Sequence, residues 1–131
     1  MQPKLVLGGV IADRTYQWQR GKSRGDLTVR IGAPGRDPRP GGDWLCPVQF
    51  SGMPRGQGIP TGVVQIFGVD SVQALTLALG FVQTILAHSA SRLSITWLDS
   101  TDLGLPDING LIGVRRSFRR PPRRKYARAD K

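Results

Sequence analysis

A chain of 131 residues, 39% hydrophobic and 7% aromatic, is long enough for one ordinary hydrophobic core and too short for two, which excludes a multidomain enzyme. Its 17 glycines and 10 prolines suit strands joined by wide loops better than a bundle of helices. The 19 basic residues outnumber the 9 acidic ones, and where they stand matters more than their total.

Residues 115–131 hold nine of the bases (Arg115, Arg116, Arg119, Arg120, Arg123, Arg124, Lys125, Arg128 and Lys131) against one acid, Asp130, a net of +8. The other 114 residues carry ten bases and eight acids, a net of +2. The chain therefore divides into a nearly neutral domain, residues 1–114, and an Arg-rich tail, residues 115–131. A lone Cys46 cannot close an internal disulfide and fits a reducing, cytoplasmic setting. The apolar run from Leu5 to Ile11 is interrupted by Asp13 and Arg14, so it reads as a strand and not as a signal peptide.

In chain order, Val10 to Trp18 reads as a strand and Gly21 to Asp26 as a polar turn. Leu27-Thr28-Val29-Arg30-Ile31, apolar and polar in alternation, is the second strand of an antiparallel hairpin. After a Gly/Pro loop, Trp44, Cys46, Val48 and Phe50 fall on one face of a third strand, which Pro47 places at an edge or at a bulge. A second loop, residues 51–62, delivers the chain to a fourth strand, Val63 to Phe67. Asp70 has the chemistry of a helix N-cap, and Gln73 three residues on completes a capping box. Val72, Leu75, Leu79, Val82 and Leu86, with Ala78 and Ile85 beside them, form the helix stripe predicted to lie on the sheet. Leu93, Ile95 and Trp97 then alternate in a fifth strand. The expected fold is α+β: an antiparallel sheet of about five strands with one main helix on one face, in the order β-β-β-β-α-β, followed by the basic extension.

The other helix face, with Gln73, Thr76, Gly80, Gln83 and Ala87, lacks the charges that a helix facing water normally carries. It calls for a cover, either the chain's own loops, such as residues 99–114, or a second copy in a homodimer. The charge-free run Ser71 to Ser91 is too polar, through Gln73, Thr76, Gln83, Thr84 and His88, to be expected as a membrane span.

Trp44-Leu45-Cys46-Pro47 and Gly68-Val69-Asp70-Ser71-Val72-Gln73-Ala74-Leu75 give the patterns W-x-C-P and G-x-D-S-x-Q-A-L. In these, residues 10–105 resemble a family of small, uncharacterised bacterial α+β domains. The resemblance implies a bacterial or phage origin and this fold, brings no activity with it, and leaves the basic tail outside.

Catalytic chemistry is hard to assemble from what remains. One His and one Cys exclude Cys/His zinc sites and paired-histidine metalloproteases, so no metal or cofactor is expected. Cys46 lies among apolar strand residues and His88 near a helix end, an unpromising nucleophile and base. Gly21-Lys22-Ser23 copies the end of a phosphate-binding loop but has Tyr16 where its first glycine belongs. Gly56-Gln57-Gly58 reaches Gly62 one residue too late for a dinucleotide fingerprint. Asp99, Asp102, Asp107 and Asn109-Gly110 lack the ligand alternation and closing Glu of a calcium loop. A hydrolase built on Asp99, Asp102 or His88 has no visible acid–base pair, and a non-enzymatic binding protein is expected.

The tail carries the strongest functional signal. Cations in pairs flank two aromatics and Pro121-Pro122 stiffens the centre, so the segment is expected to stay extended or disordered without a partner. Arg115, Arg116, Arg119, Arg120, Arg123, Arg124, Lys125 and Arg128 are candidate phosphate contacts, and Phe118 and Tyr126 candidate stacking residues, on nucleic acid or a ribonucleoprotein. The same charge also fits an acidic protein surface. The alternative class is an inhibitor or immunity-type protein that binds its partner through the α+β body, by the uncharged helix face or the loop 51–62.

Overall fold

Arg20 pairs with Ser23 across the two-residue turn Gly21-Lys22, closing a long hairpin of β1, Val10–Arg20, and β2, Ser23–Gly32. The computed structural model describes residues 7–105 apart from 40, 55 and 91. The hairpin is longer and its turn tighter than alternation predicts, because Ser23 to Asp26 continue the backbone ladder even though they contribute nothing apolar. Trp18 stabilises that polar end. Its ring lies against Gly25, its partner across the ladder, and its Nε1 donates to the Gly52 carbonyl at 2.9 Å.

Five elements follow: β3, Gly35–Arg36; β4, Trp44–Ser51; β5, Gly62–Gly68; the helix α1, Ser71–Ser89; and β6, Ser94–Thr96. The order is β-β-β-β-β-α-β, the expected α+β architecture with one extra two-residue strand. All pairings are antiparallel, and the sheet runs β6, β1, β2, β4, β5 from edge to edge. β5 pairs β4 along Trp44 to Phe50, so β2 and β3 share the other side of β4 in succession. Ile31 faces Val48 while Gly35 faces Leu45, a shift of one residue that Ala33-Pro34 absorbs. Pro47 sits opposite this break. The strand that carries it is therefore central and not an edge, and the bulge is what accommodates a residue without an N–H.

Period two sends Tyr16, Leu27, Val29, Ile31, Cys46, Val48 and Phe50 to one sheet face, where they form the core with Ala74, Ala78, Val82 and Leu86 of α1. Phe81 meets Phe50 edge to face, with ring centroids 6.1 Å apart. Burial lifts the Cys46 thiol above its ordinary pKa, and its Sγ lies 3.5 Å from the Gly32 carbonyl. Asp70 caps the helix as expected, accepting from the Gln73 N–H at 2.8 Å. The Gln73 side chain reaches back to the Val69 N–H, also at 2.8 Å, one residue before the usual capping-box donor.

The helix is seated differently from its leucine pattern. Val72 is 70% exposed, whereas Ala74 and Ala78 are fully buried and Leu75 and Leu79 lie half-buried beside them. The cause is a close approach at the end of β5: a Cβ on Gly68 would lie 2.8 Å from the Ala74 Cα. Only a small residue fits at 74, where the two backbones meet, and the buried line runs 74, 78, 82, 86. On the other face Gly80 is buried, Thr76 and Gln83 are half-buried, and Gln73 and Ala87 are exposed. The cover there is partial and comes from the chain itself: Gln83 and Ala87 share a groove with Thr101, Leu103 and Leu105, within the loop 99–114 expected to provide it. By length and composition α1 could cross a membrane; in this fold its Ala74-to-Leu86 line belongs to the sheet's core.

This seating predicts that Ala78→Leu destabilises by about 1 to 3 kcal/mol through overpacking, while Val72→Ala changes stability by less than about 0.5 kcal/mol. Urea midpoints of the two variants check it; a larger loss at Val72 would restore the leucine-stripe seating.

Candidate nucleic-acid interface

Arg14 has the same strand parity as Tyr16 and Trp18, so its guanidinium emerges on the apolar side of β1 and needs partners there. Nη1 donates to the carbonyls of Leu103 and Gly104 at 3.0 and 2.9 Å, and the guanidinium carbon stands 3.7 Å from the centre of the Trp97 ring. Trp97 is presented by a tight turn in which it exchanges both backbone hydrogen bonds with Ser100, at 2.9 and 3.0 Å. The two residues between them, Leu98 and Asp99, have φ of 53° and 63°. Two successive non-glycine residues in the left-handed region make a strained version of this turn.

Short side-chain caps then fold the chain back over β1. Ser100 Oγ accepts from the Asp102 N–H at 3.0 Å, and Asp102 Oδ1 accepts from the Gly104 N–H at 2.9 Å. Gly104 has φ of 68°, and a Cβ there would overlap the Trp97 ring and lie 2.8 Å from Arg14 Nη1. The Tyr16 hydroxyl donates to the Leu103 carbonyl at 3.5 Å; burial raises the Tyr16 pKa against the opposing pull of Arg14. Leu105 closes an apolar cleft of about 230 Å³ with Ala12, Tyr16, Leu79 and Val82. Arg14, Trp97 and Gly104 thus form a clasp that fixes the end of the described chain beside β1.

The ten site residues expected from the sequence, Arg115, Arg116, Phe118, Arg119, Arg120, Arg123, Arg124, Lys125, Tyr126 and Arg128, lie outside the described residues. Arg115 follows Leu105 by ten residues, a span of at most about 36 Å. Among the described residues there are eight bases and seven acids, a net of +1. Three of the bases, Arg20, Lys22 and Arg24, are exposed at the β1–β2 turn. Six residues of strand, about 20 Å, separate Arg20 from Arg14, so this second cationic point and the clasp stand toward opposite ends of β1. The clasp escaped sequence reading, although one signal was available: a charged residue at a core-facing position of an alternating strand must have partners.

The other candidates are not drawn together. Cys46 is buried in the core, while His88 is exposed on the last turn of α1. Asp99 and Asp102 belong to no group of three potential metal ligands among the described residues. A groove of about 570 Å³ runs between the α1 flank and β6, lined by Gln83, Ala87, Leu93, Ile95, Leu103 and Leu105, and among the described residues Asp102 is the only ionisable side chain along it. A single carboxylate, itself committed to the Gly104 N–H, makes no acid–base pair there among the described residues.

These features define a small α+β domain, a one-helix antiparallel sheet, followed by a cationic extension. The chain belongs to the family described as Domain of unknown function (DUF6968), whose model matches residues 12–107. The matched residues include the clasp and stop before Arg115. Comparison with curated proteins and with solved structures finds no match.

Two outcomes follow from the clasp. Gly104→Ala should cost about 1 to 3 kcal/mol and speed amide exchange over residues 100–105, read by mass spectrometry; unchanged exchange would remove the clasp. Folding favours the neutral Tyr16 phenol, since its folded pKa lies above its unfolded value of about 10. Its contribution is therefore complete below that value and is lost as pH rises through the folded pKa. Melting temperatures measured from about pH 9 to 11 should fall more steeply for wild type than for Tyr16→Phe.

Proposed function

We propose that this is a non-enzymatic binding protein whose cationic segment, residues 115–131, engages nucleic acid or a ribonucleoprotein, while the folded body fixes the point from which that segment departs. The observation that carries the reading is the partition of charge: a net of +8 in the last 17 residues against a net of +1 in the described body, from eight bases and seven acids. Arginine is suited to this role, because its planar fork pairs bidentately with phosphate and stacks on bases. Phe118 and Tyr126 add stacking surfaces that tolerate any base, so affinity is expected to depend on charge more than on sequence. The clasp supports the same reading, since it limits the volume the basic segment can sweep and raises its local concentration beside the body.

A second reading, a protein partner held by the body as in an inhibitor or immunity-type protein, draws on the exposed apolar residues Phe67, Val69 and Val72.

Fluorescence anisotropy of the full chain with a mixed-sequence oligonucleotide, titrated against salt, separates the readings. The log–log slope should be steep, and replacing Arg119, Arg120, Arg123 and Arg124 by Ala should reduce its magnitude by about 0.7 to 0.9 for each phosphate that is no longer neutralised. A shallow slope, or one that the replacement leaves unchanged, overturns the proposal.

A further inference from the structure

The two edges of the sheet are treated differently. β6 ends one side with three residues, Ser94–Thr96, a strand too short to template another chain. β5 ends the other with seven residues, Gly62–Gly68, that contain no charge and no proline, and among the described residues it pairs only with β4. Edges of that length are normally blunted by lysine, proline or a bulge, and this one has none of them. Phe67, within the strand, is 45% exposed, and Val69, just past its end, is 72% exposed. The helix resting on β5 has no Asp, Glu, Lys or Arg, and only six of its 19 residues are buried.

We infer that β5 is the interface for a second copy of this chain, pairing antiparallel with its own counterpart about a two-fold axis at Gln65. An isologous contact must be self-complementary, and a strand without charge meets itself without repulsion. With the axis at Gln65, Val63 stands opposite Phe67 of the other copy and Val64 opposite Ile66, so each pair joins apolar residues on one face. Gln65 provides an independent observation. Its Oε1 is buried and has no hydrogen-bond partner in the single chain, a costly state for a carboxamide. A rotation of the side chain toward the two-fold axis sets the two carboxamides side by side, where each oxygen gains an N–H donor that the single chain does not supply. The sheet becomes continuous through the junction, and both α1 helices lie on the same side of it.

The test is the native mass of the full chain, freed of nucleic acid by nuclease and high salt and measured by light scattering at micromolar concentration. Twice 14.3 kDa is expected for wild type. Val63→Lys with Phe67→Lys in one variant, and Val63→Glu with Phe67→Glu in another, should each give 14.3 kDa with an unchanged far-UV spectrum. Mixing the two should restore the doubled mass, because this register sets each lysine against a glutamate. Gln65→Cys should cross-link as a dimer under mild oxidation, a readout that stands even if the charged variants fail to fold. A monomeric wild type, folded charged variants that stay dimeric alone, or a Gln65→Cys chain that does not cross-link would each overturn the inference.

Discussion

The contact between Gly68 and the first turn of α1 governs how the rest of the molecule is arranged. No side chain fits where the end of β5 meets Ala74, so the helix lies low on the sheet and presents alanines to it. Leu75 and Leu79 are displaced to the flank, where Leu79 walls the cleft closed by Leu105. Val72 is left turned out to solvent. One steric constraint thus connects the core and the groove beside β1.

Arg14 imposes the second constraint. A guanidinium on the apolar face of β1 must be satisfied, and the groups that satisfy it come from far along the chain, at sequence separations of 89 and 90. Trp97 stacks on it and two carbonyls accept from it, and these interactions bring the far end of the domain back onto β1. The strained Leu98-Asp99 turn and the glycine at 104 are the cost of that return. In the proposed function the clasp gives the basic segment a defined point of departure, while nearly all of the net positive charge stays beyond it.

Much of this architecture was legible in the residues because local and tertiary preferences agree there. Period two in Leu27 to Ile31 and in Trp44 to Phe50 gave the correct buried faces, and Asp70 with Gln73 marked the helix start within a residue. Reading failed where a backbone or a small residue outranked a large apolar one. Ser23 to Asp26 are polar, yet they pair because Arg20 and Ser23 close a tight turn. Pro47 pointed to an edge or a bulge, and only the register shift at Ala33-Pro34 decided between them. The Val72-led stripe was misleading because the largest side chains do not sit at the closest contact. For the candidate interface, composition located the charge, but the clasp depends on a pairing of residues 14 and 97 that no local pattern encodes.

The proposed function rests on a division of labour between a nearly neutral folded body and a charged segment that binds the partner. Amide exchange of the full chain, with and without a mixed-sequence single-stranded RNA and followed by mass spectrometry, tests it most directly. The account predicts slower exchange in peptides from residues 115–131, with β1, β2 and β4 unchanged. Protection gained on those strands, with none in residues 115–131, would contradict it.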